Sequence, residues 1–135
     1  MHDFYGNFDM SRSETVHNSS RYQVIDRTVG DLMMSTTILR GDQETRGHQH
    51  SHDEIIMLPI WGHWEFRLGD EKIFFDDGFM TYRSTKIPWR DESVLALIIP
   101  GGIFHQVVNQ HNIPITFVNV WQGVRDGEAS LGPKP

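Results

Sequence analysis

Four of the eight histidines, His48, His50, His52 and His63, fall within sixteen consecutive residues, and the first three alternate ahead of Glu54 in the same phase. On an extended strand, side chains at every second position point to one face, so such a run presents nitrogens and a carboxylate together. Imidazole suits first-row transition metals, and the carboxylate widens the choice to iron, manganese, nickel, cobalt or zinc. The competing reading is a polar, pH-sensitive strand face. With no cysteine in the chain, disulfides, thiolate zinc sites, iron–sulfur clusters and cysteine nucleophiles are excluded. Any metal must be held by nitrogen and oxygen.

A second segment, Pro100 to Asn109, reads PGGIFHQVVN, a tight Pro–Gly–Gly turn leading to His105 and then Asn109. Together the two segments resemble the two-motif signature of the cupin superfamily. His48, His50 and Glu54 match the HxHxxxE core of its first motif, with Gly41 one residue too early and Gly62 one too late for the flanking glycines. Pro100, Gly102, His105 and Asn109 match the second, although Val94 stands at its leading glycine. The resemblance spans roughly residues 32 to 122.

It implies an all-β, single-domain, cupin-type antiparallel β-barrel of the jelly-roll kind, holding a divalent transition metal through His48, His50, Glu54 and His105. Positions left open on the metal would serve water, substrate or dioxygen. His52 shares the strand parity of the matched histidines, so it either replaces Glu54 as ligand, supports the ligands from behind, or acts as a catalytic base; the motif favours Glu54 as ligand. The stretch from Leu32 to Glu54 and the ending PITFVNVWQGVRDGE are similar to small cupins labelled sugar-phosphate-isomerase-like. That similarity implies a metal-dependent isomerisation or epimerisation of a small oxygenated, sugar-like molecule. A non-haem iron dioxygenase and a non-catalytic small-molecule-binding cupin are the alternatives, because one fold serves many chemistries.

The elements that must position these groups are short strands. Tyr22 to Arg27, Leu32–Leu39, Glu54–Ile60, His63–Leu68, Lys72–Phe75, Gly78–Tyr82, Ser93–Ile99, His105–Asn109 and Ile115–Trp121 are β-prone runs. Turn signals separate them at Gly30–Asp31, Gly69–Asp70, Asp76–Gly78, Pro100–Gly102 and Gln110–Asn112. No long stretch carries a helical apolar stripe, and frequent turns between short strands indicate a sandwich or barrel. Residues 1–20 read as a polar N-terminal arm, 21–123 as the β-domain and 124–135 as a tail. Pro59 falls inside a strand run, where it favours an edge or bulge. The stretch from His63 to Ser93 is expected to form a hairpin over the barrel mouth or an arm for a partner, with Ile87 and Trp89 as apolar contacts.

Other residues receive plainer expectations. His63 and Glu65 are read as exposed strand residues in preference to catalytic bases, and Tyr82, Arg83 and Trp89 as packing or interface groups. Phe104 is expected in the core, Phe117 and Trp121 in one wall, and Arg40 and Arg46 in solvent. The chain has 135 residues and a formal charge of −6. A chain of this length buries about two-thirds of its unfolded surface and needs no staple. The acidic balance argues against nucleic acid and anionic membrane as partners, and no apolar run approaches the roughly 20 residues needed to span a bilayer. A cytoplasmic location, a small-molecule ligand and a homodimer, with Phe4, Tyr5 and Phe8 reaching a neighbour, complete the expectation.

Overall fold

A computed structural model describes residues 12–76, 78–83, 85–88, 95–122 and 130–131. They contain strands and no helix: β1 (Arg12–Asn18), β2 (Tyr22–Val29), β3 (Leu32–Leu39), β4 (His48–Gln49), β5 (Glu54–Leu58), β6 (His63–Leu68), β7 (Glu71–Asp76), β8 (Phe79–Tyr82), β9 (Thr85–Pro88), β10 (Leu95–Ile99), β11 (His105–Asn109), β12 (Ile115–Gln122) and β13 (Ser130–Leu131). Accordingly, no helix among the described residues is long and apolar enough to cross a membrane.

Two antiparallel sheets result, one ordered β1-β2-β3-β12-β5-β10 and the other β13-β4-β11-β6-β7-β8-β9. From β3 to β12 the chain changes sheet at every connection except inside the β6–β9 meander. This is jelly-roll winding. The sheets face each other without sharing a ladder, so they make an open-edged sandwich of the jelly-roll kind and not a closed barrel.

Alternation explains which side of each strand is inside. In β3, Met33, Ser35, Thr37 and Leu39 are buried while Leu32 and Ile38 are exposed; in β12, Ile115, Phe117, Asn119 and Trp121 are buried. The largest fully buried side chains are Trp64, Phe66 and Phe75, joined by Leu39, Ile56, Leu58, Ile99 and Ile115. Each such side chain contributes about 1.5–3 kcal/mol. Trp64 stacks on Phe75 at 5.2 Å between ring centroids, and its indole N–H donates to the Pro59 carbonyl at 3.1 Å. Satisfying that donor is what lets tryptophan lie in the apolar layer.

Several expectations change in detail. Residues 12–18, part of the polar arm by composition, form an edge strand on β2, with an irregularity between Thr15 and His17. Pro59 is not inside a strand: β5 ends at Leu58, and residues 59–62 carry the chain across to β6. The stretch after His63 extends the seven-stranded sheet sideways as β7, β8 and β9, with Ile87 opposite Met80 in the ladder. Residues 1–11 and 89–94, including Phe4, Tyr5, Phe8, Trp89 and Val94, lie outside the described residues, as does the tail apart from Ser130–Leu131.

Candidate metal centre

β4 and β11 lie side by side in one sheet with His48 directly opposite His105. Cross-strand partners of this kind place their side chains about 5 Å apart. After Gln49 the chain leaves the ladder, and residues 50–53 carry it to the facing sheet, where Glu54 opens β5 opposite Ile99. Strand parity therefore does not run through His50 and His52, contrary to the alternation argument. Glu54 meets the histidines because it faces them from the other sheet.

The Pro–Gly–Gly turn holds the two segments together. Gly101 N–H donates to Asp53 Oδ1 at 2.7 Å, and Gly102 N–H donates to the His50 carbonyl at 2.5 Å. Gly102 sits at φ +80°, and a Cβ on Gly101 would stand 2.7 Å from the Ser51 carbonyl oxygen. Only glycine meets both demands without strain. Asn109, buried at the end of β11, directs its amide nitrogen at the carbonyls of Leu39, Arg40 and Ile113 at 2.9–3.2 Å, while its Oδ1 accepts from His111 N–H. It ties the end of β3 and the entry to β12 to β11, so its work is architectural.

Two of the imidazoles are oriented by backbone. His48 Nδ1 lies 3.0 Å from the Arg46 carbonyl and His105 Nδ1 lies 3.2 Å from the Ile103 carbonyl. A carbonyl only accepts, so each Nδ1 donates its proton there, and in a neutral ring so oriented the Nε2 carries the lone pair. Ring centroids are 4.3 Å apart for His48 and His105, 4.6 Å for His48 and His50, and 5.5 Å for His50 and His105. Nitrogens of these three histidines lie within 4.8 Å of one another, and a second group of His50, His52 and Glu54 meets the same limit.

Glu54 joins the two groups. Its Oε1 accepts from Asn119 Nδ2 at 2.9 Å and lies 3.4 Å from His105 Nε2; its Oε2 lies 3.3 Å from His52 Nε2 and 4.0 Å from His50 Nε2. Burial pushes the His105 imidazole down to about 3, reinforced by the neighbouring His48 and opposed by the Ile103 carbonyl. His105 is therefore neutral at ordinary pH, and its closeness to Glu54 is not an ion pair. Its Nε2 is buried with no hydrogen bond, facing a carboxylate oxygen. Two electron-rich atoms turned toward each other at 3.4 Å suit a shared cation, so the donor set fits a divalent metal.

A cavity of about 360 Å³ opens on the cluster, lined by His48, His50, Glu54 and His105 together with Tyr22, Ser35, Thr37, Arg46, Asn119 and Trp121, among others. His52 does not line it. Its ring is sandwiched between His50, at 4.8 Å, and Trp121, at 5.2 Å, and its Nε2 is directed at Glu54. Glu54 thus stands at the cavity and His52 behind it, while each belongs to a group whose ligand atoms lie close enough to hold a metal. Phe117 and Trp121 share one wall as their parity implied. Phe104 is half-buried over Gly47 and is not in the core.

The remaining sequence candidates lie elsewhere. His63 pairs with Asp76 at 2.7 Å and stacks on His111, away from the cavity. Glu65, expected to be exposed, is buried, because Arg67 covers it with an N–H donated at 2.5 Å and reaches Gln106 as well. Arg83 pairs with Glu71 over the Tyr82 ring on the outer meander. Arg40 is exposed. Arg46, expected in solvent, lines the cavity and is its one Lys or Arg among the described residues. Sequence reasoning missed His17 on β1, which lines the cavity, and also Ser35, Thr37 and Asn119. For the last three the signal was present: polar side chains at inward parity in runs otherwise apolar on that face.

Winding and site together define a cupin fold with a His/Glu cluster able to hold a metal. Comparison with solved structures agrees on the fold. The chain is similar to an uncharacterised protein with a double-stranded β-helix domain from Klebsiella pneumoniae, at 19% identity and a TM-score of 0.52, covering 92% of this chain and 85% of that one. It is also similar to the capsular polysaccharide assembling protein CapF from Staphylococcus aureus (13% identity, TM-score 0.60, 88% of this chain and 32% of that one). AerE from Microcystis aeruginosa matches at 13% identity with a TM-score of 0.59, covering 85% of this chain and 47% of that one. The chain thus spans about half of AerE and a third of CapF. No protein-family model and no curated protein matches the sequence.

Proposed function

We propose that this protein binds one divalent transition metal through His48, His50, Glu54 and His105 and acts with it on a small oxygenated, sugar-like molecule by isomerisation or epimerisation. The observation that carries the metal is the lone pair of His105 Nε2, buried without a hydrogen bond and aimed at Glu54 Oε1. When bound, the ion would polarise a carbonyl or hydroxyl of the substrate.

The chain's own groups supply the rest. Asn119 and His52 hold the two oxygens of Glu54 by hydrogen bonds, which we read as positioning. Ser35 and Thr37 offer hydroxyls on the lining for a polyhydroxylated ligand, beside the aromatic rings of Tyr22 and Trp121. Arg46 is placed to meet an anionic group. His17, stacked on Tyr22 at 4.1 Å, is a titratable lining group outside the ligand cluster and can carry a proton between neighbouring substrate carbons. The likeness to a capsular polysaccharide assembling protein supports saccharide chemistry.

The test begins with elemental analysis. One transition-metal equivalent per chain is expected, falling at least tenfold in His105→Ala and Glu54→Gln and reduced in affinity about 10–100-fold in His52→Gln. Undiminished metal in the first two variants would remove the ligand assignment. Anaerobic turnover of a sugar panel, followed by solvent-deuterium incorporation, is then expected; turnover that consumes dioxygen would overturn the isomerase reading.

A further inference from the structure

The inner faces of β5, β11 and β12 change character within one step of the metal cluster. Two residues along from Glu54, His105 and Asn119, on the same face of the same strands, stand Ile56, Val107 and Phe117. That step is about 7 Å. All three line the cavity, and all three belong to the hydrophobic core. Val24 carries the apolar surface across to β2, because it pairs with Thr37, and Thr37 pairs in turn with Phe117. Thr45 also lines this end, but its hydroxyl accepts from Val107 N–H at 3.0 Å and lies 3.4 Å from the Val107 carbonyl, so the backbone holds it. The cavity therefore has two unlike ends. One carries the donors of the cluster with Asn119 and its ladder partner Ser35, and the other is closed by the core itself.

We infer that the molecule this cavity takes is amphiphilic: its oxygens lie along one edge, toward the cluster, and an unoxygenated edge of its carbon skeleton lies against Ile56, Val107 and Phe117. This rests on the proposed metal site and narrows its sugar-like ligand to one that is not hydroxylated all round. The cluster and the apolar wall are about 7 Å apart, so a ring held by its oxygens at the first reaches the second with its far carbons. A hydroxyl on those carbons would give up water for a row in which Thr37 is the one hydroxyl, at a cost of about tenfold or more in affinity for each group left unpaired. A hydrocarbon edge is favoured there instead, since its burial removes apolar surface of both partners from water. The cavity volume of about 360 Å³ is enough to enclose a small ring and its substituents.

The test is titration calorimetry on the full chain with a matched pair of neutral α-hydroxyketones. One is 2-hydroxycyclohexanone, oxygenated on two neighbouring carbons alone; the other is scyllo-inosose, the same ring hydroxylated at all its remaining carbons. The metal-loaded chain is expected to bind 2-hydroxycyclohexanone about tenfold or more tighter than scyllo-inosose. The metal-free chain is expected to bind both more weakly with the same order of preference, because the wall is part of the core and does not depend on the ion. Failure of the metal assignment would thus leave the preference standing, and failure of the preference would leave the metal content unchanged. Val107→Thr puts a hydroxyl on the wall and is expected to lower the affinity ratio about threefold or more. Should it not fold, Val24→Thr makes the same change at the half-buried margin, while Val118→Thr, on the outer side of β12, should leave the ratio unchanged. No binding of 2-hydroxycyclohexanone at millimolar concentration, equal or tighter binding of scyllo-inosose, or a ratio that neither Val107→Thr nor Val24→Thr lowers would overturn the inference.

Discussion

Mild acid should destabilise the metal-free protein through His105, and the size of the effect follows from its burial. The imidazole is held down to about 3 in the folded chain, chiefly by desolvation, against 6.5 when exposed. Above pH 6.5 the group is neutral in both states and contributes no pH dependence. Between 6.5 and about 3 the unfolded chain binds a proton that the folded chain does not, so stability falls as pH falls through that window. From pH 7.5 to pH 5 the loss from this group is about 2 kcal/mol, at 1.36 kcal/mol per pH unit. With a urea slope of about 2 kcal/mol/M for a domain of this size, the unfolding midpoint should drop by about 1 M. The assay is urea denaturation after exhaustive chelation, comparing the native chain with His105→Leu, which keeps the side chain apolar and removes the titration. The variant should lose about 2 kcal/mol less than the native chain over the same interval. Equal pH dependence in the two proteins would refute the reasoning, because it would show that His105 protonates in place without cost.

Two further substitutions probe the scaffold. Asn109→Asp would turn a carboxylate toward the three carbonyls that the amide now serves, and should cost about 3 kcal/mol or more by thermal or urea unfolding, with Asn109→Ala costing less. Gly47→Ala would place a Cβ 1.9 Å from Phe104 Cζ. A loss of about 1–3 kcal/mol is expected, largely recovered in the double variant with Phe104→Leu; absence of that recovery would place the strain elsewhere.

Much of the fold was readable along the chain. The runs at Leu32–Leu39, His63–Leu68, His105–Asn109 and Ile115–Trp121 become β3, β6, β11 and β12 with the same or nearly the same bounds, because their alternation and flanking turns are local properties. Pro59 was misplaced because a proline in an apolar run looks alike at an edge and just past a strand's end; the Trp64 indole donating to its carbonyl belongs to the turn. Glu65 looked like a solvated strand residue because sequence parity does not reveal Arg67 lying over it. Arg46 looked solvated for the converse reason, since the cavity it lines is made by strands distant in sequence.

The sequence by itself excluded thiolate donors and placed His48, His50, Glu54 and His105 in two segments with turn chemistry suited to bringing them together. The tertiary structure decided which carboxylate or imidazole reaches the cavity. Residues 50–53 leave one sheet and Glu54 starts a strand in the other, so the parity that made His52 and Glu54 equivalent no longer applies. It also decided that the polar wall of Ser35, Thr37 and Asn119 faces those donors, and that apolar side chains cover the opposite side of the same sheet. Periodicity along a strand is a local matter, while which face of one sheet meets which face of another depends on where the chain crosses between them.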